Sequence, residues 1–171
     1  MREFVAVDVE PGGAGTRRAT SHLTLLFLGE VPSAQNPTIV ARLALAAGAV
    51  EPFRLRLEGV GAFPAADRPR VVWVGVTSGA VQVTELARQV RAALAPEFGR
   101  GEGEFVPHLT LFRVRGPADR EAATDLLSGR RPPPPPREVE VRELLLKESV
   151  LGRDGASHRI LATLPLGRTV P

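Results

Sequence analysis

The tetrapeptide HLTL occurs twice in this chain, at His22–Leu25 and again 86 residues later at His108–Leu111. That repetition limits the fold more than any other feature, because similar elements are expected to follow each copy. The first copy heads a strand, His22 to Leu28. Asn36-Pro37 then opens a helix whose apolar face is Ile39, Val40, Leu43 and Ala47, ending near Gly48. Phe53 to Val60 alternates as a strand, and Arg70 to Val76 is a nearly continuous apolar strand. The second copy lies in a strand from Val106 to Val114. A helix opened by Pro117 follows, with Ala122, Ala123, Leu126 and Leu127 inward and Gly129 at its end. Strands are expected at Val139 to Leu151 and at His158 to Leu166. Phe53 and Val139 are again 86 residues apart.

The remaining segments fit around this repeat. Arg2 to Val9 alternates as a leading strand and is broken by PGGAG at Pro11. Between the copies, Val83, Leu86, Ala87, Val90 and Leu94 form the stripe of an amphipathic helix that Pro96 and Gly99 terminate. The five prolines from Pro132 to Pro136 make a stiff polyproline connection. The expected fold class is α+β. A single bilobal domain spans 1–171, with the first repeat at about 20–77 and the second at about 106–167. Two lobes related by a pseudo-twofold axis each carry an antiparallel sheet and a covering helix, with a cleft between them.

The tetrapeptide divides by parity. In a strand, residues i and i+2 share a face. His22 therefore projects with Thr24, and His108 with Thr110, while Leu23, Leu25, Leu109 and Leu111 point into the lobe cores. A pseudo-twofold can bring the two polar faces to one cleft holding two imidazoles and two hydroxyls. Imidazole accepts or donates a proton near neutrality. One neutral histidine can take a proton from an attacking water while a protonated one supplies the leaving oxygen. Threonine hydroxyls can donate to anionic oxygens. In-line displacement at phosphorus needs such a base and acid on opposite sides.

Composition narrows the alternatives. With no cysteine, disulfides, thiol catalysis and thiolate zinc sites are excluded. No metal is expected, because neither copy has His-x-x-x-His spacing or an acid beside it in sequence. No apolar run reaches a membrane span, and the acidic start MREFVAVDVE lacks the long apolar segment of a signal peptide. The expected location is cytoplasmic. The net charge is +3. The pI of 10.8 follows from the absence of cysteine and tyrosine and from a single lysine, Lys147, so almost nothing titrates between neutrality and arginine. A compact anionic substrate suits this balance better than a long duplex. His158, the third histidine, follows a Gly-rich turn and is read as structural or solvated.

The two HLTL segments, with the flanking LFLGEV and GVGAFPAADRPRVVWVGV, resemble the 2H phosphoesterase superfamily and its RNA 2′,3′-cyclic phosphodiesterase, or 2′-5′ RNA ligase (LigT-like), branch. The resemblance runs from Phe4 through ESVLGRDG to LATLPL. It implies metal-independent opening of a 2′,3′-cyclic phosphate to a 2′-phosphate with release of the 3′ oxygen, and in some relatives reversible 2′-5′ joining. It implies no cofactor, RNA termini or small cyclic nucleotides as partners, and no membrane; a monomer is expected. By the same resemblance His22 is the acid on the leaving oxygen, His108 the base for water, and Thr24 and Thr110 phosphate donors. Which histidine gives and which takes the proton stays open.

Arg113 matches the family's phosphate-holding arginine. Strict alternation sets it opposite His108, so a bulge or the strand end must turn it inward. Phe112 replaces a usually small residue; alternation puts it on the His108 face, where it narrows the pocket, stacks on a base or simply packs. His158 stands where tyrosine is common, and the short Gly-rich stretch before His22 replaces a helix. Two other functions fit the same residues: a 2H enzyme acting on another cyclic or 2′-5′-linked nucleotide, and a non-catalytic module that binds RNA ends.

Overall fold

A computed structural model describes residues 1–9, 22–99, 103–153 and 155–167. The Gly-rich stretch before His22 lies outside the described residues. The elements in chain order are β1 (Arg2–Asp8), β2 (His22–Glu30), a 3-10 turn (Ser33–Gln35), α1 (Asn36–Gly48), β3 (Phe53–Phe63), β4 (Val71–Ser78), α2 (Ala80–Leu94), β5 (His108–Arg113), α3 (Pro117–Leu127), β6 (Arg137–Val141), β7 (Glu143–Gly152) and β8 (Gly155–Pro165).

Hydrophobic spacing fixes the helices. All five stripe residues of α2, from Val83 to Leu94, are fully buried. Burying such a side chain contributes roughly 1.5–3 kcal/mol, which holds the stripe against the sheets. In α1 the buried face is Ile39, Leu43, Ala46 and Ala47. Asn36 is itself helical and caps nothing, and Pro37 occupies the first turn as expected.

The strands form two four-stranded antiparallel sheets, ordered β2-β1-β7-β8 and β5-β4-β3-β6. Each HLTL strand is the edge strand of its sheet, and β2 packs against β5 where the sheets meet. The lobes, however, are not the sequence repeats. The sheet that holds the first HLTL takes β7 and β8 from the second repeat, and the sheet that holds the second takes β3 and β4 from the first. The strand expected from Val139 to Leu151 accordingly splits at Arg142. Val139 and Val141 are buried in one sheet, opposite Leu55 and Phe53. Leu144, Leu145 and Leu146 are buried in the other. The adjacent polar pair Arg142-Glu143 breaks the two-residue alternation there, and the chain changes sheet.

One core joins both sheets to α1 and α2, with Val5, Val7, Leu23, Leu43, Leu55, Leu86 and Leu146 among its fully buried members. A smaller cluster under α3 holds Val72, Ala123 and Leu126, with Phe112 packed against them. Among the described residues, no helix is long and apolar enough to cross a membrane.

Candidate functional site

The two HLTL strands pair with their neighbours in the same way. Against β1, His22 lies opposite Asp8, Leu23 opposite Val7 and Thr24 opposite Ala6; the register then slips, so that Leu26 meets Val5 and Phe27 meets Phe4. Against β4, His108 lies opposite Gly75, Leu109 opposite Val74 and Thr110 opposite Trp73; the register then slips, so that Phe112 meets Val72 and Arg113 meets Val71. In each copy the last leucine of the tetrapeptide is the extra, bulged residue. Leu25 still reaches the core as expected, whereas Leu111 is exposed. A bulge of this kind resets the alternation of faces.

The bulge corrects the parity expected from sequence. Arg113 shares a face with His108 and Thr110, is exposed, and makes no ion pair among the described residues. Phe112 turns the other way, onto Val72, Ala123 and Leu126. It is a packing residue under α3 and not a wall on the His108 face. Thr24 and His22 are half-buried, His108 is half-buried, and Thr110 is exposed. Phe27, 86 residues before Arg113, occupies the matching place in the first half and is 55% exposed, so the two halves offer a cation on one side and an aromatic on the other.

His108 is held from several directions. Its Nδ1 donates to the Val106 carbonyl at 2.7 Å. A carbonyl oxygen has no proton to give, so Nδ1 carries the hydrogen and the neutral ring keeps its lone pair on Nε2. Phe63 meets the ring edge-on at 4.9 Å and Trp73 lies 6.2 Å away. The indole sits over Gly61, its cross-strand partner, where a Cβ would overlap the ring. Small residues on β3 and β4 thus make room for the large ring that flanks the histidine.

His22 lies in a different setting. Phe4 packs on its ring at 5.0 Å and His158 meets it edge-on at 4.9 Å. Lys147 sits opposite Phe4 on β7, and its ammonium reaches the Asp8 carboxylate four residues further along β1, opposite His22. The lysine is 1% exposed. Burial, and then the Lys147 charge, push the His158 pKa below the ordinary imidazole value; Asp8 pulls it up more weakly.

Sequence reasoning did not single out Lys147, Asp8, Phe4, Phe63 or Trp73 as part of this site, and it placed His158 outside it. Lys147 carried one available signal: a lone lysine inside the apolar run LLLKESV. Among the described residues no group of three or more His, Asp or Glu side chains is placed to hold a metal ion. A surface depression of about 440 Å³ lies at the start of α3, lined by Gly116, Pro117, Arg120, Thr124 and Arg130; it contains none of the residues above.

Comparison with known proteins places these residues in a wider setting. Residues 6–151 match the family model of the 2′-5′ RNA ligase superfamily. A protein of Aeropyrum pernix named RNA 2′,3′-cyclic phosphodiesterase is 40% identical over 149 residues, covering 82% of this chain and 78% of the relative. One of the same name from Aquifex aeolicus is 32% identical over 163 residues, covering 94% and 86%. Among solved structures, the Thermus thermophilus protein TT0787 aligns with a TM-score of 0.71 at 27% identity, covering 97% of this chain and 98% of that one. E. coli LigT complexed with 3′-AMP aligns with a TM-score of 0.70 at 27% identity, covering 98% of each. The α+β architecture of two sheets is common to this chain and those structures.

Proposed function

This chain belongs to the 2′-5′ RNA ligase superfamily, and from that membership we propose that it is an RNA 2′,3′-cyclic 3′-phosphodiesterase that uses His22 and His108 as a metal-independent acid–base pair. The observation that carries the reading is the register itself. A histidine, a threonine two residues on and a bulge directly after it are built twice, on two edge strands that pack together.

The roles are those the family resemblance implies, and the setting of His108 supports its part. His108 Nε2 takes a proton from water as the water oxygen bonds to phosphorus. The bond from phosphorus to the 3′ oxygen breaks, and His22, protonated at the start, gives that oxygen its proton. The product carries a 2′-phosphate and a free 3′ hydroxyl. The Val106 carbonyl supports the basic role of His108, because its hydrogen bond to Nδ1 strengthens as the ring becomes positive. Each proton transfer of this kind is worth roughly 10²–10⁴-fold in rate. Thr24 and Thr110 donate to the non-bridging phosphate oxygens, and Arg113 adds a fork of donors on the same face as His108. With a 5′ hydroxyl in place of water as the attacking group, the same exchange makes a 2′-5′ link and frees the 3′ hydroxyl.

Incubation with a 2′,3′-cyclic nucleotide in EDTA tests the proposal. A 2′-phosphate formed by the wild type and lost in His22→Ala and His108→Ala supports it. A 3′-phosphate, a requirement for added metal, or binding with no turnover contradicts it.

A further inference from the structure

Three rings close on one another at the first half of the site. Phe4 to His22 is 5.0 Å, Phe4 to His158 is 5.1 Å and His22 to His158 is 4.9 Å between centroids. His158 stands nearly perpendicular to the other two, at 81° to Phe4 and 86° to His22. Simple packing leaves two facts without a reason. His158 Nδ1 is buried with no hydrogen-bond partner among the described residues, an arrangement that folded proteins avoid. The only lysine of the chain is buried nearby and paired with Asp8. A phenylalanine at position 158 would fill the same space without an unpaired nitrogen.

We propose, building on the two-histidine reading, that His158 is a positioning residue for His22: its edge-on imidazole, backed by the Lys147–Asp8 pair, fixes the His22 ring over Phe4 and sets the pH range in which that ring exchanges its proton. Titratable groups converge here from three further strands: Asp8 from β1, Lys147 from β7 and His158 from β8. Arg159 and Glu148 pair with each other one residue off the His158 rung and point to the other face. A charged ring at 158 would sit against His22 and oppose a proton there. Burial and Lys147 both disfavour that charge, so His22 is left to gain and lose its proton beside a neutral wall. Edge-on contact also restricts rotation of the His22 ring, and rate depends steeply on such placement.

The chain has three histidines, so its imidazole NMR signals are few enough to follow individually. In the wild type the His158 signals should titrate below the ordinary imidazole range. Replacing the wall in His158→Ala should move the His22 midpoint by at least about half a pH unit and leave that of His108 in place. In the cyclic phosphodiesterase assay the same variant should lose about tenfold in kcat with KM within about threefold, because placement rather than binding is lost. His158→Phe, which restores the wall, should recover most of that kcat. Three results would overturn the proposal: an unmoved His22 midpoint in His158→Ala, His158 titrating in or above the ordinary imidazole range, or a loss in both variants that falls on KM. A folded wild type with no phosphodiesterase activity would instead overturn the proposed function, and the NMR titration would still decide the role of His158.

Discussion

At the scale of single residues, the proposed site combines exposed groups on the histidine faces with buried groups beneath them. Arg113 belongs to the first kind. Arg113→Ala should lower kcat/KM by about 10–100-fold through loss of phosphate stabilisation and leave unfolding free energy within about 0.5 kcal/mol, as for other exposed positions. Arg113→Lys should recover part of the rate, since an ammonium keeps the charge but not the planar fork. Unchanged kcat/KM in Arg113→Ala would remove it from the site. Glu3 belongs to the buried kind. It is 1% exposed, lies opposite Glu148, and neither carboxylate oxygen has a hydrogen-bond partner among the described residues. Burial raises its pKa, assisted by Glu148 and opposed by Asn36 and the N-terminal amine. A raised carboxyl pKa contributes stability below the ordinary carboxylate range, and that contribution is lost as pH rises through the raised value. Glu3→Gln should therefore be more stable than wild type at pH 7, by about 1 kcal/mol, and the advantage should vanish in acid. Denaturant unfolding at several pH values measures this; an advantage that grows in acid would contradict it.

At the scale of elements, what the sequence showed depended on whether a local period was enough. The α2 stripe was legible residue by residue, because a helical period of apolar residues specifies its own buried face. The pairing of His22 with Thr24 and of His108 with Thr110 was legible from strand parity up to the bulge. Past the bulge, parity gave the wrong face for both Phe112 and Arg113, since one extra residue inverts everything after it. The repeat itself held the missing clue: the slip follows the threonine in both copies, so a single cause displaces Phe27 and Arg113 alike. The convergence of Lys147, Asp8 and His158 on His22 depends on strands paired across the whole chain, and no local pattern reports it. The β3–β4 hairpin offers a direct test of how an element positions the His108 ring. In Gly61→Ala the new Cβ meets the Trp73 indole, so the ring must leave its place beside His108. The variant should lose about 1–3 kcal/mol of stability, the usual cost of overpacking, and its fluorescence should shift, since Trp73 is the only tryptophan. Wild-type fluorescence and activity together would mean that the indole has no part in holding His108.

At the scale of the whole molecule, each sheet is assembled from both repeats, so neither repeat closes a sheet of its own. The core that joins the sheets to α1 and α2 ties them further. The chain should unfold in one cooperative step, with Trp73 fluorescence from one sheet and far-ultraviolet circular dichroism from the whole chain falling on the same curve. Two separated transitions would mean that the sheets are independent units. The interleaving also bears on the proposed chemistry: the β2 edge is set by strands from both ends of the chain and the β5 edge by strands from its middle, so the placement that the proposed acid–base pair needs depends on the whole fold. The most direct test of that claim is the product formed from a 2′,3′-cyclic nucleotide in EDTA by the wild type, His22→Ala and His108→Ala, each checked for folding by circular dichroism. The two-histidine account predicts a 2′-phosphate from the wild type and formation slower by about a hundredfold or more in each variant. Wild-type turnover in either folded variant would contradict it.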